Sequence, residues 1–95
     1  NKNGLTETEA LMEILRPRRQ VKAHFFGHSH RWSIERDPSG IHLVNLPATA
    51  YPFDQAQPAG WVAARLEASA MTLELRALDP SFPDHGKPKR LDWRA

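Results

Sequence analysis

Apolar residues along this chain follow a helical spacing first and a strand spacing afterwards. Thr6 stands three residues before Glu9, the spacing of a capping box. Leu11, Ile14 and Leu15 then fall at i, i+3 and i+4, on one face of a helix. Glu7, Glu9 and Glu13 suit the positive end of a helix dipole, and Pro17 stops the pattern. The spacing predicts a helix over 6–15. Val21 to Phe26 is mostly apolar and predicts a buried strand, which runs into Gly27-His28-Ser29-His30.

After Arg31 the period changes to two. Trp32 and Ile34 alternate with Ser33 and Glu35. Asp37-Pro38-Ser39-Gly40 has the composition of a type I turn, and residues 41–46 return as the second arm of a hairpin. Pro47, Pro52 and Pro58 punctuate a long loop that ends at Gly60. A second hairpin is predicted from 61–67 and 71–78, around Ala68-Ser69-Ala70. Met71, Leu73 and Leu75 share one face, and Thr72, Glu74 and Arg76 the other, so this sheet is wet or lightly covered on one side. Beyond Asp79, prolines 80, 83 and 88 predict a tail (79–95) of little regular structure, with Leu91–Arg94 as a short edge strand. A helix, a turn and a buried strand followed by antiparallel hairpins make the class α/β with a mixed sheet.

Composition adds limits. A chain of 95 residues makes one small domain or part of a larger one. It has no cysteine, so neither a disulfide nor a thiolate metal site can staple it. No apolar run is long enough to span a membrane, and no signal peptide opens the chain, which fits a cytoplasmic protein. The basic clusters Arg16/Arg18/Arg19 and Lys87/Lys89/Arg90 read as solvated loops before they read as a nucleic-acid surface.

The candidate chemistry lies in the histidines. Neutral imidazole offers a lone pair at physiological pH. His28 and His30, one residue apart on a turn, can face one centre. Gly27 before them permits a sharp turn or close packing. The apolar strand would fix their position at the C-terminal end of a sheet strand, where α/β proteins build sites. Two ligands are fewer than a catalytic metal site requires. His24, His42 and His85 read as structural or exposed, and Asp54 and Asp79 as turn residues. Arg31 is a candidate contact to a substrate phosphate and equally a surface arginine.

Val21 to His30, V-K-A-H-F-F-G-H-S-H, resembles the last signature of the calcineurin-like metallophosphoesterases, G-H-x-H at the end of a strand. The resemblance implies a four-layer α/β/β/α sandwich, of which residues 1–95 are the C-terminal part. It implies that His28 binds one metal and His30 the other, in a pair of divalent ions (manganese, iron or zinc) that activates a water for hydrolysis of phosphate mono- or diesters. The family's other ligands belong to earlier motifs that this stretch lacks. The chain alone is therefore expected to be inactive. It is also expected to expose an apolar sheet face that meets the remainder of the enzyme or another copy. The competing reading is a non-catalytic β-rich binding module with a structural histidine turn, using Trp32, Trp61, Trp93 and Tyr51 as its surface.

Overall fold

The computed structural model describes the backbone of residues 2–27, 31–49 and 56–95, with side chains from Glu9 onward. Its elements are α1 (Lys2–Leu15), β1 (Ala23–Phe26), β2 (Ser33–Arg36), β3 (His42–Asn45), β4 (Gly60–Leu66), β5 (Ala70–Ala77) and β6 (Pro88–Asp92).

The helix begins at Lys2 rather than at Thr6, so Thr6 and Glu9 lie within it and the first turn has no acidic residue. Extending a nucleated helix is far easier than starting one, which lets Asn3, Gly4 and Leu5 join. It ends where expected, at Pro17, in turns closed by Arg18 N–H to Leu15 O (3.0 Å) and Val21 N–H to Arg18 O (2.9 Å). The buried face is not the predicted one. Met12 is buried, whereas Leu11 and Ile14 are 37% and 56% exposed.

Sheet I has the order β1-β3-β2. β2 and β3 form the predicted hairpin, pairing Ile34 with Val44, and its turn is closed by Gly40 N–H to Asp37 O (2.8 Å). β1 pairs in parallel with β3, Ala23 with His42 through Phe26 with Asn45. The sheet is therefore mixed. β1 is an edge strand, half-buried at Ala23 and His24 and exposed at Phe25 and Phe26. The expectation of a buried strand fails because β1 has a neighbour on one side only among the described residues.

Sheet II is antiparallel, in the order β4-β5-β6. The alternation in β5 is as predicted: Met71, Leu73 and Leu75 are within 1% of fully buried. They meet Val44 of sheet I and Trp32, which directly precedes β2, and Val62, Leu91 and Trp93 close the sides. Each large side chain so buried contributes about 1.5–3 kcal/mol of transfer free energy. Pairing Met71 with Leu91 brings the tail into the sheet. The proline-rich stretch is thus more ordered than predicted: turns run to Gly86, and then comes β6. Pro88 is tolerated because it opens an edge strand, where its missing N–H is not required.

On the other face of sheet I, Met12 of α1 shares a groove with His24, Phe26 and Leu43. The layers are therefore α/β/β, three of the expected four. No helix among the described residues lies against the outer face of sheet II. No helix among them is long and apolar enough to cross a membrane.

Candidate metal centre at the end of the first strand

His28, Ser29 and His30 lie outside the described residues. What is described is the frame that presents them. β1 and β3 run in parallel and end side by side. Phe26 is in register with Asn45, and Leu46 N–H donates to Phe26 O at 2.8 Å. Residues 28–30 thus follow in sequence on the C-terminal end of β1, beside the end of its parallel neighbour β3, the usual place for an α/β site. Beyond them Trp32 is buried. Trp32 N–H donates to Gln57 Oε1 at 2.7 Å. Phe26 and Trp32, on either side of residues 28–30, are thus each tied to the fold, and Gln57 is a support that no local signal singles out. Arg31, between the histidines and Trp32, is exposed.

Gly27 differs from expectation. It is not among the glycines with positive φ, and a Cβ built on it meets no described atom within 4 Å. Neither a left-handed turn nor close packing against the described residues calls for glycine there.

The other histidines have partners. The His24 ring stacks on Phe26 at 5.4 Å between centroids. His42 is buried, and its Nε2–H donates to Asp92 O at 2.6 Å. His85 Nδ1 accepts from Ala77 N–H at 3.1 Å, which makes it the Nε2–H tautomer. Asp79 accepts from the Ser81 hydroxyl at 2.6 Å and from Ser81 N–H at 3.0 Å. Those bonds, the hydroxyl's foremost, hold its carboxyl below the usual value. Asp54 is outside the described residues.

No group of three His, Cys, Asp or Glu side chains that could hold a metal occurs among the described residues. As a donor set, the two imidazoles at 28 and 30 fit part of a metal centre and not a whole one, since such a centre takes three or more protein ligands.

The tryptophans of the competing reading are not gathered on one surface. Trp32 is buried. Trp93 is half-buried, with Nε1–H donating to Glu67 O at 3.0 Å. Trp61 is 57% exposed, and Tyr51 lies outside the described residues. Of the first basic cluster, Arg16 is taken up in ion pairs with Glu9 and Asp37. The second cluster, Lys87, Lys89 and Arg90, is exposed.

Among solved structures the chain is similar to a conserved uncharacterized protein, a predicted phosphoesterase, from Streptococcus pneumoniae TIGR4, with a TM-score of 0.60 at 11% identity. The match covers 85% of this chain. The chain shares that protein's fold. It spans 45% of that protein's length. No family model matches the chain, and no curated protein matches it in sequence. At this identity the likeness is one of fold, and the G-H-x-H turn remains a reading of residues 27–30.

Proposed function

We propose that the chain is the C-terminal part of a two-metal phosphoesterase domain that hydrolyses phosphate mono- or diesters. One observation carries this reading. In a fold shared with a predicted phosphoesterase, the sequence Gly27-His28-Ser29-His30 follows directly on β1, at the parallel C-terminal ends of sheet I.

His28 and His30 would each hold one divalent ion, manganese, iron or zinc, through neutral imidazole. The bound pair supplies an acidified water and neutralises charge that develops on the phosphoryl oxygens. This chain's own residues do the positioning. Phe26 and Trp32 hold the backbone on either side of residues 28–30, and Arg31, exposed beside them, would meet a phosphate oxygen. A bare Gly27 leaves space for close approach from outside the chain, which accounts for a glycine that its own backbone does not need. The remaining ligands would come from the rest of the enzyme. That part would lie along the free edge of β1 and cover Leu11, Ile14, Phe25 and Phe26, all more than a third exposed.

The test uses the gene product extended upstream of Asn1, assayed with manganese on bis(4-nitrophenyl) phosphate and 4-nitrophenyl phosphate. His28→Ala and His30→Ala are expected to lower kcat/KM by at least about 100-fold, since even outer-shell partners of metal ligands cost 10–100-fold. Wild-type rates in both variants, or no hydrolysis by the extended protein, would remove the proposal.

A further inference from the structure

β1 and β2 lie on opposite sides of β3, and the connection between them, residues 27–32, carries His28 and His30. Both residues that flank the connection are in register with the same residue of β3. Phe26, the last of β1, pairs with Asn45, and so does Ser33, the first of β2. The connection therefore bridges two strand spacings, roughly 10 Å. The seven Cα steps from Phe26 to Ser33 could reach about 23 Å. The strands fix where the connection starts and stops, but so short a span does not fix the groups along it. Metal ligands must be held closely by their supports, so the site calls for a further tie to this stretch of backbone.

Trp32 N–H, donating to Gln57 Oε1 at 2.7 Å, is such a tie. The Trp32 side chain already sits in the core, which sets the place of its Cα. The hydrogen bond adds direction. Because the peptide group is planar, fixing Trp32 N–H also fixes the Arg31 carbonyl, and with it the line on which the chain runs back toward His30. Gln57 is itself stiffly mounted. It is followed by Pro58, which is buried; proline fixes its own φ and confines the residue before it to extended conformations. Ala59 then bridges to Ala48. Gly60 N–H donates to Ala48 O at 2.7 Å, and Leu78 N–H to Ala59 O at 2.8 Å. The half-buried carboxamide thus stands on backbone pinned both to the segment after β3 and to the end of β5.

We infer that Gln57 is a positioning residue for the metal centre: through Trp32 N–H it sets the backbone beside His30 and so the affinity of the histidine pair for metal. The inference rests on the two-metal reading above. Only the carbonyl oxygen of Gln57 takes part in this bond, so a carboxylate of the same length serves as well, since it too accepts. That separates the role from simple support of the Trp32 backbone, which would alter stability and leave metal affinity alone. It also separates it from a glutamine that donates to substrate, which glutamate could not replace.

The experiment uses the protein extended upstream of Asn1. Manganese affinity is read from the paramagnetic resonance of the free ion, beside hydrolysis of bis(4-nitrophenyl) phosphate. Gln57→Leu removes the acceptor and is expected to weaken manganese binding by roughly 10–100-fold, the range for partners that orient metal ligands. At saturating manganese its kcat is expected to recover most of the loss. Gln57→Asn draws the oxygen off Trp32 N–H by one methylene and is expected to behave likewise, which covers the case of a leucine that disturbs folding. Gln57→Glu is expected to bind manganese no more weakly than wild type. Wild-type affinity in Gln57→Leu and Gln57→Asn, or a Gln57→Glu as weak as Gln57→Leu, would overturn the role while His28→Ala still abolishes binding. If His28→Ala and His30→Ala bind manganese as wild type does, the metal reading itself fails and this inference falls with it.

Discussion

The guanidinium of Arg16 grips the carboxylate of Asp37 through two hydrogen bonds, Nε to Oδ2 at 3.1 Å and Nη2 to Oδ1 at 3.0 Å. This pair fastens the end of α1 to the turn between β2 and β3. Arg16 is about a third exposed, and Asp37 is nearly sealed. Asp37 Oδ2 also accepts from Ser39 N–H at 2.9 Å, so the same carboxylate shapes its own turn and holds the helix.

Arg16 foremost, with Ser39, holds the Asp37 carboxyl well below its ordinary value. A carboxylate more acidic in the folded state contributes stability that is fully present above its unfolded pKa, about 3.9. That contribution is lost as pH falls below that value toward the folded one. Urea unfolding at pH 7 and pH 3 should show it. Asp37→Asn is expected to be less stable than wild type at pH 7, and the gap is expected to narrow at pH 3. A gap of constant size would mean that the charge of Asp37 does not matter.

Arg94 is expected to matter more for stability than any other charged residue of the tail. It is buried, and its guanidinium donates to four carbonyls: Val21 O (3.0 Å), Ser39 O (3.3 Å), Leu15 O (3.4 Å) and Arg18 O (2.7 Å). Lys22 Nζ donates in turn to Arg94 O at 2.7 Å. Arg94→Ala leaves several of those carbonyls without a partner and is expected to cost on the order of 3 kcal/mol. Arg94→Lys is expected to recover little, since one ammonium does not span a fork of four acceptors. Chemical denaturation measures both, and a loss under about 0.5 kcal/mol, the range of ordinary surface changes, would contradict the role.

These two ties explain where the sequence was readable and where it was not. The hairpins were legible because period-two alternation and the Asp37-Pro38-Ser39-Gly40 turn are local signals. The position of β3 between β1 and β2 was not, since nothing local to residues 21–26 says which later strand will lie beside them. The helix face was misread for a related reason. Leu11, Ile14 and Leu15 make the better stripe by spacing alone, yet the groove beside His24 and Leu43 takes Met12. Arg94 gave no signal, because an arginine in a polar tail looks solvated until the fold brings four backbone carbonyls around it. At the candidate site, the strand that ends at Phe26, just before residues 27–30, was legible from its apolar run. The Gln57 clamp on Trp32 was not, because it joins positions 25 residues apart.

Gly40 and Gly27 are expected to respond oppositely to alanine. Gly40 has φ +97°, and its Cβ would lie 2.9 Å from Arg94 Cβ. Gly40→Ala therefore combines backbone strain with displacement of the Arg94 staple and is expected to cost more than about 1 kcal/mol. Gly27→Ala meets no described atom within 4 Å and is expected to change stability by less than about 0.5 kcal/mol. If Gly27 serves close approach from outside the chain, the same substitution is expected to lower activity of the extended enzyme while leaving its melting temperature unchanged. Equal destabilisation by the two alanines would show that Gly27 is a folding residue instead.

Metal titration of the chain discriminates among its five histidines. His42 Nε2 is committed to Asp92 O and His85 Nδ1 to Ala77 N–H, and the His24 ring is stacked on Phe26. Binding a metal through the hydrogen-bonded nitrogens of His42 or His85 would require breaking those contacts. Two imidazoles are an incomplete ligand set, so zinc is expected to bind weakly and to shift the ring resonances of His28 and His30 first. His28→Ala or His30→Ala is expected to abolish the response of the remaining partner. Shifts centred on His24, His42 or His85, or none at all at millimolar zinc, would detach the histidine turn from metal chemistry.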